Sequence, residues 1–190
     1  MRGSLLRVHA IRNANIFHPL AMSTNWKYIW EKVTCSFQCD RDSVHGPAHW
    51  RRVERNGLFI ATRSGAVLDV VRLFAVFHDS RRQHDGPDKS HGARGAAFAA
   101  SLRGVLFQLS DQHFELLDYA CKWHAHGRLS DDSTIGTCWD ADRLDLGRVG
   151  IAPHPAYMST EVGRKIAVDS SLQSFLESAE AGAGTEGTLV

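Results

Sequence analysis

The stretch SGAVLDVVRLFAVFHD, residues 64–79, runs apolar from Leu73 to Phe77 and then stops, without a break, on His78-Asp79 and the basic pair Arg81-Arg82. Val67, Val70, Val71 and Phe74 recur at helical spacing, so the stretch predicts a core helix. Ser64 is its expected N-cap. Aspartate is rarely buried unless it is paired or binds a metal. Any fold that buries this helix must therefore supply positive charge at its C-terminal end.

The rest of the chain is patterned the same way. In NWKYIWEKVTCSFQ, residues Trp26, Ile29, Trp30, Val33 and Phe37 form one helical stripe, read as core packing that covers the centre of the domain. Pro47 suits a first helical position, and a helix to about Ala61 places His49, Val53 and Ile60 toward one side. A polar loop marked by Gly86-Pro87 follows the third helix. HGARGAAFAASLRGVLFQL, residues 91–109, resumes a helix whose small residues allow close approach. Ser110 caps a fifth helix that Gly127 ends. RLSDDSTIGTC reads as loop, WDADRLDLGRVG as a short helix, APHPAYMS as a turn region, and residues 160–177 as the last helix. No strand alternation of useful length and no internal repeat occur. The expected fold is an all-α bundle with one core and about six or seven helices. Residues 1–21 are expected to be a leader or flexible arm, 22–177 the helical domain, and 178–190 a flexible tail.

Composition narrows the function classes. A formal net charge of +1 gives no global case for nucleic-acid duplex binding or an anionic membrane. No window approaches the apolar length of a membrane span. Cys35 and Cys39 form a C-x-x-x-C, which zinc sites allow, but no second pair follows at a matching spacing. All four cysteines are read as reduced thiols of a cytoplasmic protein.

Eleven histidines are rich for this length, and their placement is informative. His49 lies in the first turn of the second helix, His78-Asp79 ends the third, His91 opens the fourth, and His124 lies near the end of the fifth. Asp142 sits in the short sixth helix. Helices packed side by side would bring these ends together, as bundle metal sites are built. Imidazole nitrogens with carboxylate oxygens suit divalent ions such as Mn, Fe, Zn, Co or Ni. Neighbouring helical residues point about 100° apart, so His78 and Asp79 can both face one ion. Asp79 has two oxygens and can bridge a pair.

The order His49, His78-Asp79, Asp142, carried by VHGPAHWRRV, LFAVFHDSRR and DADRLDLGR, resembles the HD-domain metal-dependent phosphohydrolase superfamily. The resemblance covers roughly residues 45–150. It implies that His49, His78, Asp79 and Asp142 hold a first metal. HGARGA and WHAHGR resemble the segments that carry two further histidines in two-metal members, which implies that His91 and His124 hold a second, with Asp79 bridging. The ADRL register favours Asp142 over Asp140, and Asp145 is expected behind the ligands. His45, one turn before His49, and His84 are expected to support the site or contact substrate. His126 is expected at the surface.

The resemblance further implies a hydrolase that uses one or two divalent ions (Mn, Fe, Co, Ni, Mg or Zn) on a small phosphorylated substrate, with nucleotides the leading class, possible homo-oligomers and no membrane. Asp79, or a nearby carboxylate, would take the proton from water. Arg81 and Arg82 would clamp phosphate, for which guanidinium geometry is suited; Lys89, Arg143 and Arg148 are further candidates. Ser80-Arg81-Arg82 replaces the Ile-Gly-Lys common elsewhere, and no GYP motif follows, which argues against the cyclic di-GMP phosphodiesterase branch. Two alternatives stay open: a di-iron oxygenase on the same fold, and a non-catalytic nucleotide-binding regulatory module.

Overall fold

The computed structural model describes residues 24–169. The leader expected at 1–21, the tail at 178–190, and residues 170–177 of the expected last helix lie outside the described residues. Seven α-helices form among them: α1 (Trp26–Cys35), α2 (Pro47–Ser64), α3 (Leu68–Phe77), α4 (His91–Leu102), α5 (Asp111–Trp123), α6 (Ser133–Arg143) and α7 (Glu161–Val168). Short 3-10 turns follow α5 and α6 and precede α7. Among the described residues β-pairing is limited to one isolated bridge, Arg103 to Phe107. The all-α bundle expected from periodicity is the fold.

The apolar helix α3 occupies the centre. It touches α1, α2, α4, α5 and α6, and every residue from Leu73 to Phe77 is at most 1% exposed. A helix apolar all round is stable only when enclosed on all sides. Each large side chain it buries contributes about 1.5–3 kcal/mol. His78, at the C-cap, and Asp79 are therefore delivered to the middle of the bundle, 0% and 2% exposed.

Three boundaries differ from the sequence reading. Ser64 does not cap α3; it is the last residue of α2, and its hydroxyl pairs with Thr137 Oγ1 at 2.9 Å. Val67 precedes α3, and its N–H donates to Thr134 Oγ1 instead, at 3.1 Å. Both contacts come from α6, which begins at Ser133, inside the stretch read as loop. Asp132 caps α6, accepting from the Thr134 and Ile135 N–H groups, both at 2.9 Å. Thr134 to Ala141 are all buried. Contacts with α2 and α3 override the weak helix propensity of this Thr- and Gly-containing segment. Conversely, α4 stops at Leu102 rather than continuing to 109, because Arg103 turns extended and its guanidinium binds the Leu109 carbonyl. Cys35 ends α1 and Cys39 lies beyond it, so the two do not share a helix face; all four cysteines are free thiols.

The small residues of α4 allow it to approach the end of α3. A Cβ on Gly95 would overlap the Phe77 carbonyl oxygen, and one on Gly92 would overlap the Cys121 carbonyl oxygen of α5. On the opposite side, Trp30 and Phe37 pack on Trp50, with ring centroids 6.2 and 5.1 Å away, and the Trp50 indole donates to the His45 carbonyl at 2.8 Å. The aromatic stripe of α1 is core packing, as expected, and it braces the segment entering α2. Asp140 ties α7 to α6: it accepts from the Ser159 N–H and from the N–H and hydroxyl of Thr160, all at 2.7 Å.

Two stability changes follow. Gly95→Ala forces α4 away from backbone rather than from a flexible side chain, and is expected to cost about 1–3 kcal/mol. Asp140→Ala leaves the part-buried Ser159 and Thr160 N–H groups without this acceptor and is expected to cost about 1–3 kcal/mol. Urea unfolding of each variant measures both; a change under half of the lower figure would show that these contacts do not hold the helices in place.

Candidate metal centre

Six side chains from five parts of the chain meet at the end of α3. His49 comes from the first turn of α2, His78 and Asp79 from the end of α3, His91 from the first residue of α4, His124 from the turn closing α5, and Asp142 from the last turn of α6. His49, His78, Asp79, His91 and His124 are all buried, and the Asp142 side chain is 15% exposed. Three overlapping groups of these residues place ligand atoms within 4.8 Å of one another: His49-His78-Asp79, His78-His124-Asp142 and Asp79-His91-His124.

The Asp79 carboxylate separates two half-sites. Its Oδ2 faces His49 Nε2 and His78 Nε2, each at 3.8 Å. Asp142 Oδ1 completes that half, 3.3 Å from His49 Nε2 and 3.8 Å from His78 Nε2. Asp79 Oδ1 faces the other half, 3.1 Å from His91 Nε2 and 3.5 Å from His124 Nε2. Within each half two imidazoles point Nε2 at Nε2, at 3.1 Å for His49 and His78 and at 2.9 Å for His91 and His124.

The outer nitrogen of every one of these rings is already engaged. His78 Nδ1 donates to the Phe74 and Ala75 carbonyls at 3.1 Å, and His124 Nδ1 to the Cys121 carbonyl at 2.8 Å. His91 Nδ1 donates to the Asp88 carbonyl. His49 Nδ1 donates to Asp145 Oδ2 at 2.7 Å, and Arg52 holds the other Asp145 oxygen at 2.6 Å. Carbonyls and carboxylates only accept, so each Nδ1 carries the proton and each Nε2 lone pair faces inward. Four lone pairs and two carboxylates aimed at one another repel unless a cation lies between them. With metal–ligand bonds of about 2.0–2.2 Å, ligand atoms at right angles lie about 3 Å apart, the spacing of the shortest pairs here. The donor set fits divalent metal in both halves.

The protonation states point the same way. Burial pushes His78 down to about 3, so its ring is neutral. Burial opposes ionisation of Asp79, but the surrounding His78, His124, His45 and His91 rings outweigh it and hold the carboxyl well below its usual range. Asp142 is likewise lowered, burial being overcome by the His49 hydrogen bond and the neighbouring imidazoles. Burial disfavours charge on His49 and His124, yet Asp142 with Asp145 and Asp79 respectively raise both. The carboxylates draw positive charge into the gap, and a divalent ion would answer that field more fully than a proton.

Other expected residues are sorted by place. His45 lies against the cluster, its Nδ1 2.9 Å from Asp79 Oδ2, while His84 is in an exposed loop and does not line the cleft that opens from the centre. Asp140 faces α7, and Asp145 orients His49 from behind. His126 is exposed against Trp123. Arg82 reaches the centre, its Nε donating to Asp79 Oδ1 at 3.1 Å. Arg81 is not brought there: its guanidinium lies 3.6 Å from the Phe98 ring centre and donates to the Ser36 carbonyl at 3.1 Å. Adjacent residues leaving a helix diverge, and only one of this pair can face inward. Arg143 is buried and donates to the Tyr157 and Arg128 carbonyls. Lys89 is exposed, outside the residues that line the cleft. Sequence reasoning missed Arg52, although its place one turn after His49 on α2 was the available signal. It also missed the backbone carbonyls of Phe74, Ala75, Asp88 and Cys121, which no side-chain pattern announces.

A cleft of about 250 Å³ opens from the centre, lined by His45, Asp79, Arg82, His124, Asp142 and Arg148, with Ala125, Gly127, Arg143 and Leu146. No helix among the described residues is long and apolar enough to cross a membrane.

No family model matches the chain, and no curated protein matches it. Among solved structures it is similar to a predicted HD superfamily hydrolase from an uncultured Thermotogales bacterium. The two are 27% identical, with a TM-score of 0.61, over 83% of this chain and 92% of that one. The two share a fold, and the H…HD…D residues of this chain, His49, His78-Asp79 and Asp142, converge in space.

Proposed function

We propose that the protein is a divalent-metal-dependent phosphohydrolase acting on a small phosphate ester, with nucleotides the first class to test. One observation carries the reading: two imidazole pairs converge on opposite oxygens of one buried, ionised aspartate at the floor of an open cleft. The HD superfamily hydrolase neighbour supports hydrolysis.

His49, His78, Asp142 and Asp79 Oδ2 would hold one ion, and His91, His124 and Asp79 Oδ1 a second. Bound there, Mn, Fe, Co, Ni, Mg or Zn would acidify a water for attack on phosphorus and stabilise charge on the reacting oxygens. Asp79 or Asp142, both ionised, would accept the proton. Arg82 and Arg148 line the cleft and would bind non-bridging phosphate oxygens, a task for which a planar guanidinium is suited. Arg81, engaged by Phe98 and Ser36, is left to structure. His45 lies at the cleft edge, with a side chain 13% exposed, where it would touch substrate.

Asp79→Ala is expected to abolish phosphate release and to empty both positions, read by metal content after dialysis. Activity is to be followed against nucleotides and an aryl phosphate with Mn, Co, Ni or Mg. If nothing is hydrolysed and Asp79→Ala leaves metal content unchanged, the reading fails. Iron in the purified protein without phosphate release would favour the oxygenase, and tight nucleotide binding without turnover the regulatory module. Asp145→Asn removes the charge that orients His49 and is expected to weaken metal binding about 10- to 100-fold, measured by equilibrium dialysis; an unchanged affinity would mean that Asp145 does not support the ligand.

A further inference from the structure

The two halves of the centre are electrostatically unequal. The half formed by His49 and His78 has two carboxylate oxygens, Asp79 Oδ2 and Asp142 Oδ1. Its extra neighbour is His45, whose Nδ1 lies 2.9 Å from Asp79 Oδ2. In the half formed by His91 and His124 the carboxylate oxygen facing both rings is Asp79 Oδ1, at 3.1 and 3.5 Å, with an Asp142 oxygen farther off, within 4.8 Å of His124; Asp79 Oδ1 is shared with the Arg82 guanidinium at 3.1 Å. Arginine does not lose its proton in a protein. With the Arg82 side chain 11% exposed and Asp79 3% exposed, little water screens this charge. A divalent ion beside His91 and His124 must sit next to a fixed cation on the same oxygen.

Resting on the two-ion reading above, we infer that Arg82 couples the second ion to the substrate. The guanidinium weakens that position while it is paired only with Asp79. It lines the cleft, and among the described residues its hydrogen bonds come from Nε and Nη1, to Asp79 and the Gly86 carbonyl. Nη2 remains to meet a phosphate oxygen. A phosphate dianion bound there offsets the Arg82 charge and lifts the penalty on the second ion. By linkage, the second ion strengthens phosphate binding by the same factor. Arg82 is thus a positioning residue for the metal as well as a phosphate contact, and the pair of ions is completed when substrate arrives.

The alternative role, a clamp that merely holds Asp79 in place, predicts the opposite sign. Removing a clamp would loosen the second ion; removing a competing charge tightens it. The experiment is Mn²⁺ binding to the full chain, followed by the signal of free Mn²⁺, with and without inorganic phosphate and against phosphate controls lacking protein. Wild type is expected to bind one ion tightly and one weakly, with phosphate tightening the weak one on the order of 10-fold. Arg82→Met is expected to tighten it without phosphate and to lose most of the phosphate effect. Arg82→Lys, which keeps the charge, is expected to behave as wild type. A second ion that is unchanged or weaker in Arg82→Met, or indifferent to phosphate in wild type, overturns the coupling while leaving the hydrolase reading intact. If wild type binds no Mn²⁺ at all, or His91→Ala with His124→Ala keeps both ions, the two-ion centre itself fails.

Discussion

A carboxylate held ionised in the middle of a helical bundle is the constraint on which the rest of this structure depends. Asp79 is 2% exposed and follows directly on an apolar helix enclosed by five others. Its charge has to be met by partners brought from elsewhere in the chain. Around it lie four imidazoles, His45, Asp142 and Arg82, and residues outside the centre place several of them. Pro47 starts α2 just before His49. Gly92 and Gly95 let α4 close on the ends of α3 and α5, so that His91 and His124 meet. The Asp132 cap starts α6 early enough to bring Asp142 round to His49.

The ring orientations form a second layer. Backbone carbonyls fix His78, His91 and His124, and a carboxylate braced by Arg52 fixes His49. Every Nε2 therefore faces inward. Backbone acceptors cannot be lost to substitution and move little, which suits a site that must hold one geometry. The asymmetry lies in the charges: Asp142 lies closest to His49 and His78, and Arg82 presses on the side of His91 and His124. That difference distinguishes two positions built from the same kinds of ligand.

Much of this was legible from one chain. The 3.6-residue stripes give α1, α2 and α3, the Ser110 cap and Gly127 give α5, and the order of His49, His78-Asp79, His91, His124 and Asp142 names the residues that meet. The misread segments differ in cause. The start of α6 has weak intrinsic helix propensity and is helical because α2 and α3 bury it. The end of α4 is cut short locally, by Gly104 at a φ of 80° and by Arg103 binding the Leu109 carbonyl.

The division at the centre follows the same line. The sequence by itself determined the residue types and their order: which side chains can bind a cation, and that an apolar run would carry a histidine and an aspartate into the core. Periodicity is a local property, so it can be read locally. Only the tertiary structure decided that Asp79 presents different oxygens to different imidazole pairs, and that Arg82 turns in while Arg81 turns away. Those outcomes depend on where separate helices cross and on which donors and acceptors remain unpaired after they have packed, and both are set by contacts between residues far apart in the chain.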